Sequence, residues 1–332
     1  MVTLTRQRVE QLFDSFRGEK IFVIGDLMID RYLRGRVSRL SPEAPVPVVE
    51  MDSETYHFGG AANVALNLQT LGCDPILIGL VGEDEYGRRF EQLLKDNNLS
   101  SEGIIFTRDR PTTVKTRIIG DNQHLARVDI ERIVYSGEES EKKLLQRIKS
   151  LFPLGKAVIL EDYNKGVLTE RVIAETLSLA QVQEKISTVD PKFINFMAYR
   201  NPTVFKPNIR ETSQALGKLL DDETKVEQAG FELLERLKAQ SVLLTRGADG
   251  MSLFEQNRQV QHIATRTRKV ADVSGAGDTV IATMTAALVG GANFREAATL
   301  ANSAAGIVCE EVGIVAIQAE RLKKVLLEQD RL

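Results

Sequence analysis

Six short apolar runs recur along the chain: IFVIG (21–25), ILIGLVG (76–82), AVILED (157–162), ISTVD (186–190), TVFKPN (203–208) and SVLLTRG (241–247). Each has the length of a strand, and their near-continuous apolar character predicts burial on both faces. Most are followed by amphipathic stretches with the length of ordinary globular helices. That alternation restricts the chain to the α/β class, with a mostly parallel central sheet flanked by helices. No internal repeat or low-complexity segment suggests another architecture. The 332 residues suffice for one large domain or two closely joined ones.

Two regions break the alternation. Residues 31–58 hold three prolines within RVSRLSPEAPVPVVEMDSETYHF, which excludes a helix there. Residues 104–130, IIFTRDRPTTVKTRIIGDNQHLARVDI, are again rich in β-formers. We read both as strands of a small sheet that projects from the core as a lid over a site. A projecting sheet exposes edges and an apolar face, so a homodimer joined through the lids is expected. After VADVSGAGD the chain becomes alanine-rich, which predicts closely packed helices, the last near residues 316–330.

Charge narrows the function. Lys and Arg number 43 against 46 Asp and Glu, a formal net charge of −3, which argues against bulk nucleic-acid or membrane-surface binding. No apolar run approaches the roughly 18 residues that span a bilayer. The N-terminal MVTLTRQRVEQLF lacks the apolar core of a secretory signal, so a cytoplasmic location is expected. Cys73 and Cys309 have neither disulfide-framework nor metal-site spacing, and two buried reduced thiols are expected.

The sharpest motif is Asp272-Val-Ser-Gly-Ala-Gly-Asp278, immediately before an apolar helical stretch. The amides of Gly275, Ala276 and Gly277 can converge at the helix start, where unpaired donors and the positive dipole end attract anions. Asp278 then places a carboxylate beside the anion, suited to taking a proton from a hydroxyl that attacks phosphorus. A glycine turn with a capping Asp reads equally from this segment alone. Gly59-Gly60-Ala-Ala-Asn63 opens another helix, where a ligand can approach the backbone and Asn63 can bond a sugar hydroxyl. Asp26 and Asp30 sit at or just after the carboxyl end of the first strand, placed for vicinal hydroxyls or for turn formation. Asn208 and Glu211 in KPNIRE share a helix face, suited to a hydrated Mg²⁺ or to a capping box. Thr245 and Gly247 in LTRG, with Asp162, Lys165, Asp190 and Lys192, also follow strands, and polar groups gathered at one sheet end mark a site. No P-loop or G-x-G-x-x-G signature is present.

Taken in order, GD, GGAANVA, N-x-x-E, TRG and D-x-x-G-A-G-D resemble the ribokinase (PfkB-type) carbohydrate kinases over nearly the whole chain. Within that family the segment SRLSPEAPVPVV, with EDYNKGVL, KPNIRE and DVSGAGDTVIA, resembles the D-glycero-β-D-manno-heptose 7-phosphate kinases. The resemblance implies one ribokinase-like domain over 1–332 and ATP-dependent phosphorylation of the heptose C1 hydroxyl. It also implies a stand-alone kinase, since no H-x-G-H nucleotidyltransferase signature occurs.

Carried over by position, Asp278 is the base and Gly275, Ala276 and Gly277 form the anion hole. Asp26, Asp30, Gly59, Gly60, Asn63, Asp162 and Lys165 hold the sugar, with Lys115, Arg117 and Arg127 for its phosphate. Lys192, Asn208, Ile209, Arg210, Glu211, Thr245, Gly247, Ser274 and Asn302 contact ATP. Asn208 and Glu211 hold Mg²⁺ through water, and Asp272 marks a monovalent-cation site for K⁺. One loop departs: Val308–Ile314 stands where the family reads close to VGKxGT, which leaves an inactive sugar- or nucleotide-binding regulator as a rival. A kinase of fructose 6-phosphate or a similar sugar is the nearer rival.

Overall fold

The computed structural model describes residues 4–265 and 271–329. In chain order the elements are α1 (Arg6–Phe16), β1 (Lys20–Gly25), β2 (Leu27–Leu40), β3 (Pro47–Gly60), α2 (Ala61–Leu71), β4 (Asp74–Gly82), α3 (Glu85–Asp96), β5 (Ile104–Thr107), β6 (Thr113–Gly120) and β7 (Gln123–Ile130). They continue with α4 (Glu138–Leu151), β8 (Ala157–Glu161), α5 (Glu170–Val182), β9 (Ile186–Asp190), β10 (Val204–Phe205), α6 (Ile209–Leu216), α7 (Glu223–Leu237), β11 (Ser241–Thr245), β12 (Met251–Glu255), β13 (Val260–Ile263), α8 (Ala276–Val289), α9 (Phe294–Cys309) and α10 (Ala319–Gln329).

Nine strands form the main sheet in the order β13-β12-β11-β10-β9-β8-β1-β4-β5. Pairing is parallel from β11 through β10, β9, β8, β1 and β4 to β5, and β12 runs antiparallel to both its neighbours. Strand alternation splits the apolar side chains between two cores. Ile21, Val23, Ala157 and Ile159 enter one, packed with α2, α8 and α9 residues such as Leu68, Ile281 and Ala301. Phe22, Ile24, Val158 and Leu160 enter the other, with α4, α5 and α7 residues such as Ile148, Ile173 and Leu233. Side-chain caps fix the starts of several covering helices, among them Asp84 on α3, Thr169 on α5 and Asn293 on α9.

Four strands form the lid in the order β3-β2-β6-β7. The expected lid segments shift accordingly. The first is longer than 31–58, because β2 begins one residue after β1 and β3 runs directly into α2. The second is shorter than 104–130, because Ile104–Thr107 pair in parallel with Gly79–Gly82 as the edge strand of the main sheet. The run 203–208 yields only a two-residue strand, ending ahead of Pro207, which cannot donate to a ladder. Both cysteines are free, but Cys309 is only half-buried, at the end of α9. No helix among the described residues is long and apolar enough to cross a membrane.

One buried amide ties the helices behind the site. Asn67 Oδ1 accepts from Thr279 Oγ1 and from Ile317 N, both at 3.0 Å, and its Nδ2 donates to Asn63 O at 2.8 Å. Asn67→Ala orphans a hydroxyl and an amide at once. Chemical unfolding of this variant is expected to show a loss of about 2–4 kcal/mol.

Candidate active site

The sheet's parallel register builds a row of charge at its carboxyl end. Glu161 pairs with Gly25 on one side and with Asp190 on the other, so all three point to the same face. Lys206 follows β10, and its Nζ lies 2.7 Å from Asp190 Oδ2, both side chains about 5 % exposed or less. Gly25 leaves the first place in the row without a side chain. A Cβ there would lie 2.0 Å from Glu161 O.

The N-terminus of α8 faces this row. Gly275, at φ +78°, caps the helix, and a Cβ on it would stand 3.0 Å from Asn63 Nδ2, so both backbone and space require glycine. Thr279 N donates to Gly275 O at 3.0 Å as the first helical bond, and Ala276 N is taken by Val273 O at 3.3 Å. The amide of Ala276 is thus spent on the turn, in contrast to the expected anion hole. The amides of Gly277 and Asp278 make no backbone bond among the described residues, as the first turn of a helix dictates.

Asp278 is 4 % exposed. Its Oδ2 accepts from Asn63 Nδ2 at 2.7 Å and its Oδ1 from the Tyr163 hydroxyl at 2.8 Å. Burial pushes its pKa up to about 6, with Asp190 adding to the rise, while Asn63, Tyr163 and Lys206 work against it. Glu161 is fully buried, and burial together with Asp190 and Asp278 raises it well above the ordinary carboxylate value. Neither Glu161 oxygen has a hydrogen-bond partner.

Beside the row opens a groove of about 700 Å³ lined by Asn208, Ile209, Arg210, Thr245, Gly247 and Val273, with Arg246 and Glu223 at its wall. Five of the residues expected at the nucleotide meet here. Asn208 and Glu211 form a reciprocal capping box on α6, and Glu211 Oε1 pairs with Lys192 Nζ at 2.5 Å. Burial opposes the Lys192 charge, but Asp190 and Glu211 outweigh it and hold the ammonium above its usual pKa. Asn302 is set back from the groove, where its Nδ2 donates to Ala264 O at 2.9 Å. Asp272 closes the loop ahead of α8: Oδ1 accepts from Ser274 N at 2.9 Å and Oδ2 from Gly313 N at 3.2 Å. Each Asp272 oxygen thus carries one main-chain N–H, and Cys309 O accepts from the Ala271 and Asp272 amides.

On the lid side, Asp26 accepts three main-chain bonds, from Tyr163 N (2.8 Å), Lys165 N (2.9 Å) and Val167 N (3.1 Å), and so shapes the 163–167 loop. Asp30 is buried against Gly59 and paired with Arg117. Burial raises its pKa against the pull of Arg117. Gly60, at φ +58°, lets the chain pass Asp26 O on its way into α2. Lys115 lies 3.5 Å from Asp129 and 3.6 Å from Glu131, Arg127 pairs with Asp129 at 2.9 Å, and Lys165 with Glu131 at 2.8 Å.

Asp162 does not join the others. Adjacent residues of a strand face opposite ways, so it points to the second core, bonded by the Tyr199 hydroxyl at 2.7 Å. Burial and the neighbouring Asp26 push it up to about 6. The side chain that does reach Asp278's surroundings is its neighbour Glu161. Together with Tyr163 and Lys206, it is what motif reading passed over.

Magnesium was expected at Asn208 and Glu211 through water; their side chains also form the capping box, and Glu211 pairs with Lys192. The carboxylates that do converge are Glu161, Asp190 and Asp278, with one oxygen of each within 4.8 Å of the others. Among the described residues, the unpartnered Glu161 oxygens make this a donor set that fits a divalent, oxygen-seeking cation.

Comparison with known proteins bears on this geometry. The model of the pfkB family carbohydrate kinases matches residues 18–320. The chain belongs to this carbohydrate kinase family. As a sugar kinase it is 40% identical over 324 residues to the bifunctional protein HldE of Paramagnetospirillum magneticum, covering 98% of this chain and 66% of that one. It is 39% identical over 310 residues to HldE of Geobacter sulfurreducens, covering 93% and 63%. The chain thus spans just under two thirds of the length of these curated relatives. Among solved structures, phosphofructokinase-2 from Escherichia coli in complex with potassium superposes with a TM-score of 0.78 at 18% identity, covering 95% of this kinase and 100% of that chain. Arabidopsis thaliana ribokinase complexed with ribose and ATP gives 0.73 at 17%, covering 94% and 99%. Both share the ribokinase-like fold.

The raised Asp278 pKa has a consequence for stability. The folded chain holds this proton up to about pH 6, whereas the unfolded chain releases it near 3.8. Stability therefore falls as pH rises through that window and stays reduced above it. Unfolding curves across pH are expected to show D278N more stable than the parent at pH 7.5, by up to roughly 3 kcal/mol. The gain should shrink towards pH 4.

Proposed function

We propose that this kinase transfers the γ-phosphoryl group of ATP to the C1 hydroxyl of D-glycero-D-manno-heptose 7-phosphate. The product is heptose 1,7-bisphosphate, on the route to ADP-heptose for the lipopolysaccharide core, and the work is done in the cytoplasm. The observation that carries the phosphoryl-transfer reading is Asp278 at the head of α8, where its own amide and that of Gly277 bond no other backbone group among the described residues. The acceptor is supported by the SRLSPEAPVPVV strand segment and by the HldE likeness over nearly the whole chain.

ATP lies in the groove between Asn208 and Gly247, its triphosphate directed to the start of α8. Asp278 takes the proton of the C1 hydroxyl as the oxygen attacks the γ-phosphorus in line. Asn63 and Tyr163 hold the carboxylate in place, each donating to one oxygen. Amides of the first turn, with Lys206 close to Gly277, stabilise charge on the transferring group. Glu161 and Asp190 would hold Mg²⁺, which when bound screens the phosphate charge against the carboxylates. The lid carries Asp30, Lys115, Arg117 and Arg127 towards the sugar and excludes water. The lid also exposes Val128 at 52% and Met51 at 60%, which supports a homodimer joined there.

A coupled ADP assay with heptose 7-phosphate, fructose 6-phosphate and ribose tests the acceptor. Turnover confined to heptose 7-phosphate is expected, and preference for either other sugar overturns it. D278N should lose about 10²–10⁴-fold in kcat with the KM for ATP nearly unchanged. Tyr163→Phe removes a bond that lowers the Asp278 pKa, so the acid limb of kcat/KM, near pH 6 in the parent, should move to higher pH.

A further inference from the structure

We infer that Asp162, which faces away from the substrates, is a positioning residue for the reaction: through the turn that it closes, it aims the Tyr163 hydroxyl at Asp278. This rests on Asp278 acting as the base.

Strand β8 pairs with β9 up to Glu161, and the next amide, Asp162 N, still donates to Asp190 O at 3.0 Å. Past that point no strand holds the chain, yet the alternation of faces continues. Glu161 lies with Asp190 and Asp278, Asp162 turns into the second core, and Tyr163 turns back to bring its hydroxyl 2.8 Å from Asp278 Oδ1. Two carboxylates do here what a neighbouring strand would do. Asp26 accepts from the amides of Tyr163, Lys165 and Val167, and Asp162 Oδ1 accepts from Asn164 N at 2.8 Å. The bond from Asn164 to Asp162 closes a turn with Tyr163 at its centre. Asn164 takes the left-handed conformation there, at φ +55°, which asparagine adopts more readily than most side chains. Its own Oδ1 accepts from Ile194 N at 3.3 Å and pins the turn to the segment after β9.

Asp162 is 2% exposed, and its second oxygen accepts from the hydroxyl of the fully buried Tyr199 at 2.7 Å. Tyr199 packs on Phe205 in the second core, with 6.1 Å between ring centres. A carboxylate and a phenol buried there give the core no more stability than two apolar side chains of the same shape. What the pair does give is direction. Tyr199 fixes the rotation of the carboxylate, the carboxylate fixes the Asn164 amide, and the turn fixes the angle at which the Tyr163 side chain leaves the loop. Asp26 alone does not achieve this. It takes Tyr163 N and Lys165 N on one oxygen, Oδ2, and the Asn164 amide between them bonds only Asp162 among the described residues.

The test uses the full chain as parent, D162L, D162N, Y199F and Y163F, and D162L combined with Y163F, with the acceptor that the parent turns over fastest. D162L is expected to lower kcat by about 3- to 30-fold, and by no more than Y163F does, with the KM for ATP unchanged. In the Y163F background the same change leaves kcat within about twofold, because its route is already gone. D162N restores most of the loss, since a side-chain amide oxygen also accepts from Asn164 N. The second readout is the protein labelled with ¹³Cζ-tyrosine, whose six tyrosines include one signal that Y163F removes. That signal reports the bond to Asp278, and D162L moves it towards an unbonded tyrosine while D162N leaves it in place. A role in stability alone lowers the melting temperature and moves neither this signal nor the kcat ratios. A folded D162L with the parent's kcat or an unmoved Tyr163 signal overturns the assignment. So does a loss of kcat that is equal with and without the Tyr163 hydroxyl. Should D162L fail to fold, Y199F decides: a shifted Tyr163 signal supports the role and an unmoved one overturns it. If D278N keeps the parent's kcat, the base reading falls by itself, and the Tyr163 signal still decides separately whether Asp162 aims the hydroxyl.

Discussion

Three carboxylates and an ammonium meet where almost no water reaches, and the architecture around them is arranged to tolerate that. Glu161, Asp190 and Asp278 repel one another, and Lys206 offsets one charge through its pair with Asp190. The positive end of α8 lies over the cluster, and the Gly277 and Asp278 amides of its first turn bond no carbonyl among the described residues. Such a place is costly in the free protein and becomes favourable only when mobile charge, cationic or phosphorylated, enters it. The polar groups that could have neutralised it are absent on one side because Gly25 has no side chain.

The supporting scaffold is stiff. Asn63 and Tyr163 reach Asp278 from different elements, α2 and the loop after β8, and each is itself anchored. Asn63 O is held by Asn67, which also grips α8 through Thr279. Tyr163 is held through its amide by Asp26. Asp278 is thus positioned by a closed circuit of bonds rather than by a single rotamer, the arrangement that the proposed proton transfer requires.

Much of this was legible in the sequence. The apolar runs located five main-sheet strands almost to the residue, and glycine with Asp278 ahead of an apolar stretch located α8. Motif reading singled out Asn63 and the residues that line the Asn208–Gly247 groove because they lie next to strand ends or helix starts. It failed where direction mattered. EDYNKG offered Glu161 and Asp162 as equals, and only the pairing of β8 with β9 decides which faces Asp278. Asn208 and Glu211 have the spacing of a metal pair and of a capping box alike, and only the structure shows that the box forms and that Lys192 joins Glu211. The edge strand β5 was read into the lid because an apolar four-residue strand carries no sign of which sheet it will join.

Two of the four connections between lid and core are very short. Asp26 alone lies between β1 and β2, β3 passes into α2 without a linker, and Ala61 N donates to Asp26 O at 3.1 Å, tying the two crossings together. On this side a swing of the small sheet has little chain to absorb it, in contrast to the longer connections at 108–112 and 131–137. Asp26 also carries the loop that presents Tyr163, so tilting the small sheet would also tug on the hydroxyl bonded to Asp278. In the proposed reaction, closure over the sugar and alignment of the carboxylate would then be geared together through one side chain.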